Sequence, residues 1–231
     1  MGSGTVLIIG NSDGIGLTLT RRLLNAGHRV LGASRSPSPI EHGNYRHVVA
    51  DVTSENYIEE LEELLTNERN LFAVYYCAGI GAKTNPQDLS MDYHVFDVNL
   101  MGAMRTAQFL IPKLLEQGGR FIVLSSLADR IINHEASSYT ASKAAVSAYF
   151  EGLGLKLRHS KLKIVNVRFG FVDTKMARAG VRPFMITTER AAERLEGLLE
   201  GPVPLRMTYP KRMAVVVAGV AWFQNLRVLW G

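Results

Sequence analysis

Apolar residues fall along this chain in short blocks that switch between two periods. Thr5–Ile9 is a β-branched and leucine run stopped by Gly10, the composition of a strand buried on both faces. After it, Ile15, Leu19, Leu23 and Leu24 share one side of a helix, Arg21 and Arg22 lie off it, and Gly27 stands where a helix ends. Arg29–Ala33 predicts a second strand, 36–43 with its two prolines a loop, and His47–Ala50 a third strand. Thr53 or Ser54 is placed to cap a helix through Ile58, Leu61, Leu64 and Leu65. Leu71–Tyr76 predicts a fourth strand that stops at Ala78–Gly79. A long helix follows, from about Met91 to Leu115, and Gly118–Gly119 breaks it. Arg120–Leu124 and Lys163–Arg168 predict the fifth and sixth strands, with a helix over Tyr139–His159 between them. Glu189–Leu199 is a short amphipathic helix and Leu205–Thr208 a last strand. Wholly apolar strands alternating with helices several turns long predict an α/β chain: one doubly wound parallel sheet with helices on both faces. No repeat or linker interrupts it, so residues 1–212 are expected to form one domain, with 213–231 as an apolar C-terminal segment.

The 231 residues suffice for a full hydrophobic core, and 47% apolar with 20% charged residues excludes a disordered chain. A single cysteine, Cys77, forms no internal disulfide, which points to a reducing compartment such as the cytoplasm. The opening MGSGTVLIIG lacks the pattern of a signal peptide. The net charge of +5 is uneven: residues 1–120 carry 10 basic and 13 acidic side chains, residues 121–231 carry 16 and 8. The cations are scattered and no nucleic-acid motif accompanies them, so the gradient reads as a solvated face or a site for an anionic cofactor. No His, Cys or carboxylate spacing suggests a metal site.

Gly10-Asn11-Ser12-Asp13-Gly14-Ile15-Gly16 joins the first strand to the first helix. In that context the glycines permit a tight turn and close approach of backbone to a pyrophosphate, which the N–H groups of the helix start would hold. The second strand ends at Ser34-Arg35, with a guanidinium and no carboxylate where an adenosine ribose would lie. This favours NADP(H) over NAD(H). Ser12 is placed to add a hydrogen bond. Asp13 argues the other way unless it is a helix cap.

Tyr139-Thr140-Ala141-Ser142-Lys143 places a phenol and an ammonium on one helix face. A neighbouring ammonium favours the phenolate and lowers the pKa of a tyrosine, which then exchanges a proton with an alcohol or carbonyl. Ser126 lies thirteen residues earlier, at the end of the fifth strand, on the ligand side of such a sheet.

The GxxxGxG spacing with Ser126, Tyr139 and Lys143 resembles the classical short-chain dehydrogenases/reductases, a Rossmann-fold family, over about residues 4–208. The resemblance implies hydride transfer between NADP(H) and a carbonyl or secondary alcohol. Tyr139 would be the acid/base, and Lys143 would lower its pKa and bind the nicotinamide ribose. Ser126 would stabilise the substrate oxygen, and Asn99 would support a proton-relay water. It also implies that Asp51 meets the adenine amino group, that Val52 lies on the ring, and that Cys77-Ala78-Gly79 stands for the family's Asn-Ala-Gly turn. Tyr76 and Cys77 replace the two asparagines usual there; Cys77 reads as a packing residue, not a nucleophile. Gly170, in Phe169-Gly170 where relatives have Pro-Gly, would admit the nicotinamide, with Val172 contacting its carboxamide through the backbone and Thr174 through its hydroxyl. His134 and Glu135 read as loop residues.

The insertion from Lys175 to about Thr188, with Met176, Val181, Phe184, Met185 and Ile186, is the family's variable lid and suggests a partly apolar substrate. Arg178 and Arg182 suit an acidic substrate or plain solvation. The apolar run Met213–Phe223 is too short to span a bilayer. It is expected to pack as a helix on its own domain or on a subunit, with peripheral membrane contact second. Relatives pair the two long helices between subunits, which implies a homodimer or homotetramer. Phe109, Leu153, Leu155 and Leu157 suit that pairing and internal packing alike. Two other functions remain open: a non-catalytic dinucleotide-binding regulator or scaffold, and a membrane-associated reductase of lipid-like substrates.

Overall fold

A computed structural model describes residues 4–68, 70–177 and 182–230. Seven parallel strands form one sheet: β1 (Thr5–Ile9), β2 (Arg29–Ser34), β3 (Tyr45–Val49), β4 (Leu71–Tyr76), β5 (Gly119–Ser126), β6 (Leu162–Phe169) and β7 (Arg206–Tyr209). Their spatial order is β3-β2-β1-β4-β5-β6-β7. The chain therefore reverses direction across the sheet between β1 and β4, and such a reversal opens a crevice at the carboxyl ends of the strands.

The two-residue period of the strands sorts the core. Leu7, Ile9, Leu31, Val74 and Val123 face α2 (Tyr57–Leu64), α4 (Gly102–Gln117) and α5 (Ser137–Lys156). Val6, Ile8, Val30, Ile122 and Val165 face α1 (Gly14–Asn25) and α6 (Thr188–Glu196). Burial on both faces explains why the inner strands β1 and β4 carry no polar alternation, whereas the edge strands β3 and β7 are partly exposed and mix polar residues in. α1 ends as predicted, at Ala26 followed by Gly27 with φ +84°. The last helix, α7 (Lys211–Trp230), packs Met213 and Val217 on Leu127.

Several expectations need correction. Neither Thr53 nor Ser54 caps α2: it starts at Tyr57, and Asn56 precedes it without a side-chain cap. Thr53 instead closes a turn on Asp51. Strand β3 lies two residues earlier at its start than predicted, because Tyr45 and Arg46 pair with Val30 and Leu31. The long helix over Met91–Leu115 is not uniform. It is α3 (Ser90–Phe96), a π-helical turn over Asp97–Met101, then α4. Apolar periodicity reports burial, and burial continues through the irregular turn.

Candidate active site

The glycine turn is shaped by backbone proximity. Gly10 adopts φ +84°, and a Cβ there would lie 2.5 Å from the Ala78 nitrogen; one on Gly16 would lie 2.1 Å from the Gly10 oxygen. The turn after β1 thus lies against the Cys77-Ala78-Gly79 turn after β4, and the start of α1 is drawn onto it. Asp13 caps α1, its carboxylate accepting from the Gly14 N–H at 2.8 Å, and it also pairs with Lys175 at 2.7 Å. Ser12 and Ile15 stay partly exposed beside it. The buried Asn11 side chain donates to the Tyr45 hydroxyl at 2.5 Å, while its Oδ1 has no hydrogen-bond partner among the described residues. The N–H groups of the glycine turn and of the α1 start would line a groove suited to a pyrophosphate.

At the edge of this groove Arg35 is exposed and, among the described residues, in no ion pair. Ser34 is committed to the Ser36 carbonyl and His47, each at 2.9 Å. Burial works to raise the Asp51 pKa. Two hydrogen bonds from Thr53, with Arg35 and His94 nearby, outweigh it and hold the carboxyl low. Asp51 is therefore a turn-forming residue, beside a buried Val52.

The π turn aims Asn99. Its Oδ1 accepts from the Ile80 N–H at 2.8 Å, and its Nδ2 donates to the Ile80 carbonyl at 2.9 Å and to Ser142 Oγ at 3.0 Å. One amide thus ties α5 to the segment after β4. The Tyr76 hydroxyl donates to the Val98 carbonyl within the same turn at 2.6 Å. That bond escaped the sequence reading; its only signal was a tyrosine where relatives carry an asparagine. It satisfies a carbonyl in the turn, where the regular helical ladder is interrupted.

Opposite, β5 delivers Ser126 and α5 delivers Tyr139 and Lys143. Adjacent strand residues point to opposite faces. Ser125 accordingly turns to the Lys143 carbonyl and Ser147, while Ser126 points the other way, its Oγ accepting from the Ala128 N–H at 3.1 Å on the Tyr139 side. Lys143 Nζ donates to the Leu124 carbonyl at 2.8 Å. A Cβ on Gly79 would stand 3.3 Å from both Lys143 Nζ and Asn99 Oδ1, and one on Gly81 would stand 3.5 Å from the Tyr139 ring and 3.9 Å from Met176. Gly79 and Gly81 thus leave room beside three of the four catalytic candidates, Asn99, Tyr139 and Lys143.

The electrostatics differ from expectation. Burial pushes the Tyr139 phenol up, and the Ser126 hydroxyl beside it offsets only part of this. The expected lowering by Lys143 does not dominate, because that amine lies 6.0 Å from the phenol ring centroid and is turned to Leu124. Burial lowers Lys143 itself to about 8, against an opposing pull from Cys77. Burial also pushes the Cys77 thiol up to about 12, which suits a packing residue and not a thiolate.

Beyond β6, Val172 bridges Ile186 in parallel: Ile186 N–H bonds the Phe171 carbonyl and Asp173 N–H bonds the Ile186 carbonyl. That pattern leaves the N–H and C=O of Val172 itself pointing away from the bridge. The Thr174 methyl stands 3.4 Å from where a Gly14 Cβ would be. Gly170 is also tightly packed: a Cβ there would meet Met213 Sδ at 2.7 Å and Pro210 at 3.3 Å, so the packing of α7 by itself favours glycine. In the lid, the Arg182 guanidinium stacks 4.7 Å from the Phe171 ring centroid. Arg178 and Val181 lie outside the described residues. His134 and Glu135 are exposed in a loop joined to Thr84. A further unpredicted feature is the buried ion pair of Arg168 with Asp129, which also accepts from Ser147 at 2.6 Å.

Residues 4–182 match the family model of the short chain dehydrogenases. The chain belongs to that family. An uncharacterized oxidoreductase of Escherichia coli, YbbO, is 30% identical over 179 residues, covering 74% of this chain and 66% of its own, just under two thirds. An uncharacterized oxidoreductase of Myxococcus xanthus is 28% identical over 92% of both chains. Among solved structures, a short chain dehydrogenase of Burkholderia cenocepacia in complex with NADP superposes with a TM-score of 0.85 over 98% of both chains, at 22% identity. A 3-ketoacyl-(acyl-carrier-protein) reductase of Brucella melitensis complexed with NADH gives 0.80 over 89% of this chain and 96% of its own, at 19% identity.

Proposed function

We propose that this enzyme reduces carbonyl compounds with NADPH at the space between Ser126, Tyr139 and Gly79. The observation that carries the reading is the convergence of Lys143 Nζ and Asn99 Oδ1 on Gly79, with the Tyr139 ring at Gly81 two residues on. When bound, the nicotinamide supplies the hydride to the substrate carbon. Tyr139, whose phenol burial keeps protonated at neutral pH, gives its proton to the substrate oxygen. Ser126 Oγ donates a hydrogen bond to that oxygen as negative charge builds on it. Lys143 holds the ribose and stabilises the phenolate left behind, and Asn99 keeps α5 and the Ile80 backbone in register with it.

The exposed Arg35 supports recognition of a 2′-phosphate, and the Lys175 ammonium offsets the negative charge of Asp13. Val172 and Thr174 are assigned to the carboxamide end, and Asp51 with Val52 to the adenine end. Gly10, Ser12, Gly14, Ile15 and Gly16 line the pyrophosphate, with Ala78 closing the turn behind it. Met176 at the open side of Tyr139 favours a partly apolar carbonyl substrate. The substrate-free enzyme is assigned to the cytoplasm as a homo-oligomer built on α4 and α5.

Tyr139→Phe tests the reading. It is expected to leave NADPH binding intact and to lower turnover across a carbonyl panel by at least about 10²-fold. Undiminished turnover would refute the assignment. Binding without turnover in the unmodified protein would make it a dinucleotide-dependent regulator. Parallel fluorescence titrations with NADPH and NADH check the Arg35 assignment, and tighter NADH binding would reverse it.

A further inference from the structure

α7 packs on the domain along one line and is bare along the opposite one. Met213 and Val217 are buried against Leu127. The Gln224 amide then clasps both the N–H and the carbonyl of Ile132, at 2.9 and 2.8 Å. On the far side Val215, Trp222 and Leu229 are 74%, 66% and 77% exposed. They recur every seven residues, so they form one line along the helix, and Phe223, 65% exposed, lies next to it. An outward helix face is normally polar. Here no helix among the described residues is long and apolar enough to cross a membrane, so this face has neither a buried nor a spanning role.

Charge says what covers it. Lys211 and Arg212 are exposed in the first turn and Arg227 near the end. No Asp or Glu follows Glu200. A second copy packed antiparallel on this face would set each helix's basic first turn against the other's Arg227, with no carboxylate on either helix to answer them. An anionic lipid surface answers all three cations and takes the apolar line between them, while the long basic side chains reach up to the headgroups.

We propose that α7 is an interfacial helix that docks the enzyme on anionic membrane surfaces, its Val215–Trp222–Leu229 line among the acyl chains. The proposal stands independently of the hydride-transfer chemistry.

The chain's two tryptophans, Trp222 and Trp230, both lie on α7, so intrinsic fluorescence reads this helix directly. The full-length protein is mixed with phosphatidylcholine vesicles with and without phosphatidylglycerol. Expected are co-sedimentation and blue-shifted emission with the anionic vesicles only, both weakened by high salt. Val215→Ser/Phe223→Ser, at exposed positions, is expected to keep the melting temperature and to lower partitioning at least about tenfold. Lys211→Gln/Arg212→Gln, which leaves the apolar line intact, is expected to do so by about tenfold as well. Equal binding to neutral vesicles, binding indifferent to both variants, or no binding would overturn the proposal. So would a dimer in sedimentation equilibrium that the Val215→Ser/Phe223→Ser variant dissolves, which would assign the face to a second copy.

Discussion

The cluster around Asn99 and the attachment of α7 hold the molecule together by different means. Around Asn99 one buried amide makes three hydrogen bonds, two of them to backbone, and it sits in a π turn that Tyr76 also holds. Directional bonds thus fix the Asn99 amide on both its oxygen and its nitrogen. α7 is held by two buried apolar side chains and one exposed amide clasp, and most of its surface faces outward. Positions that serve proton transfer need directional bonds, whereas a helix that meets apolar material needs only to be anchored.

The comparison can be broken most severely at Asn99. Asn99→Leu leaves the Ile80 N–H and carbonyl and the Ser142 hydroxyl without their partner. It is expected to lower stability by about 4 kcal/mol in urea unfolding and to reduce turnover with it. A loss no larger than that of a surface change would show the cluster to be dispensable.

Lys143 sharpens the comparison through pH. Its folded pKa, about 8, lies below the 10.5 of a free lysine. Between these values the unfolded chain holds the proton that the folded chain has released, so the contribution of Lys143 to stability rises with pH there. Below pH 8 the buried ammonium is a cost of about 3 kcal/mol. Lys143→Met is therefore expected to be the more stable protein at pH 7, with the gap closing between pH 8 and 10. A gap that does not change with pH would remove the charge from the explanation.

On the α7 side the effects are smaller. Met213→Ala empties the contact with Leu127 and Gly170 and is expected to cost about 2 kcal/mol in thermal unfolding. Gln224→Ala removes the clasp on Ile132, whose backbone water then solvates. Its expected cost is about 1 kcal/mol or less, with hydrogen exchange rising at Ile132. If Gln224→Ala proved as costly as Asn99→Leu, the distinction between the two regions would fail.

The strands, the glycine turn and the Tyr139–Lys143 pair were legible because each is a local pattern. Continuous apolar runs, glycines at a strand–helix junction and a four-residue helical spacing carry their own geometry. The choice of Ser126 over Ser125 rested on its thirteen-residue spacing to Tyr139, and the strand turns the Ser125 hydroxyl to the Lys143 carbonyl. The π turn and the packing of Met213 beside Gly170 were not legible, because each depends on residues distant in sequence: Tyr76 meets Val98, and Met213 comes from α7. The cap of α2 was misjudged for a local reason, since Asp51 draws Thr53 into a turn before the helix starts.

By itself, then, the chain determined its layer architecture, its strand positions and the residue types offered at the carboxyl ends of the strands, because these follow from periodicity and local backbone freedom. Only the tertiary structure decided the charge state of the site and the orientation of the tail. Burial, not the neighbouring lysine, governs the Tyr139 phenol, and burial is a property of everything packed around it. Likewise, α7 is apolar on nearly all sides in sequence, and only its docking on Leu127 divides an inner face from an outer one.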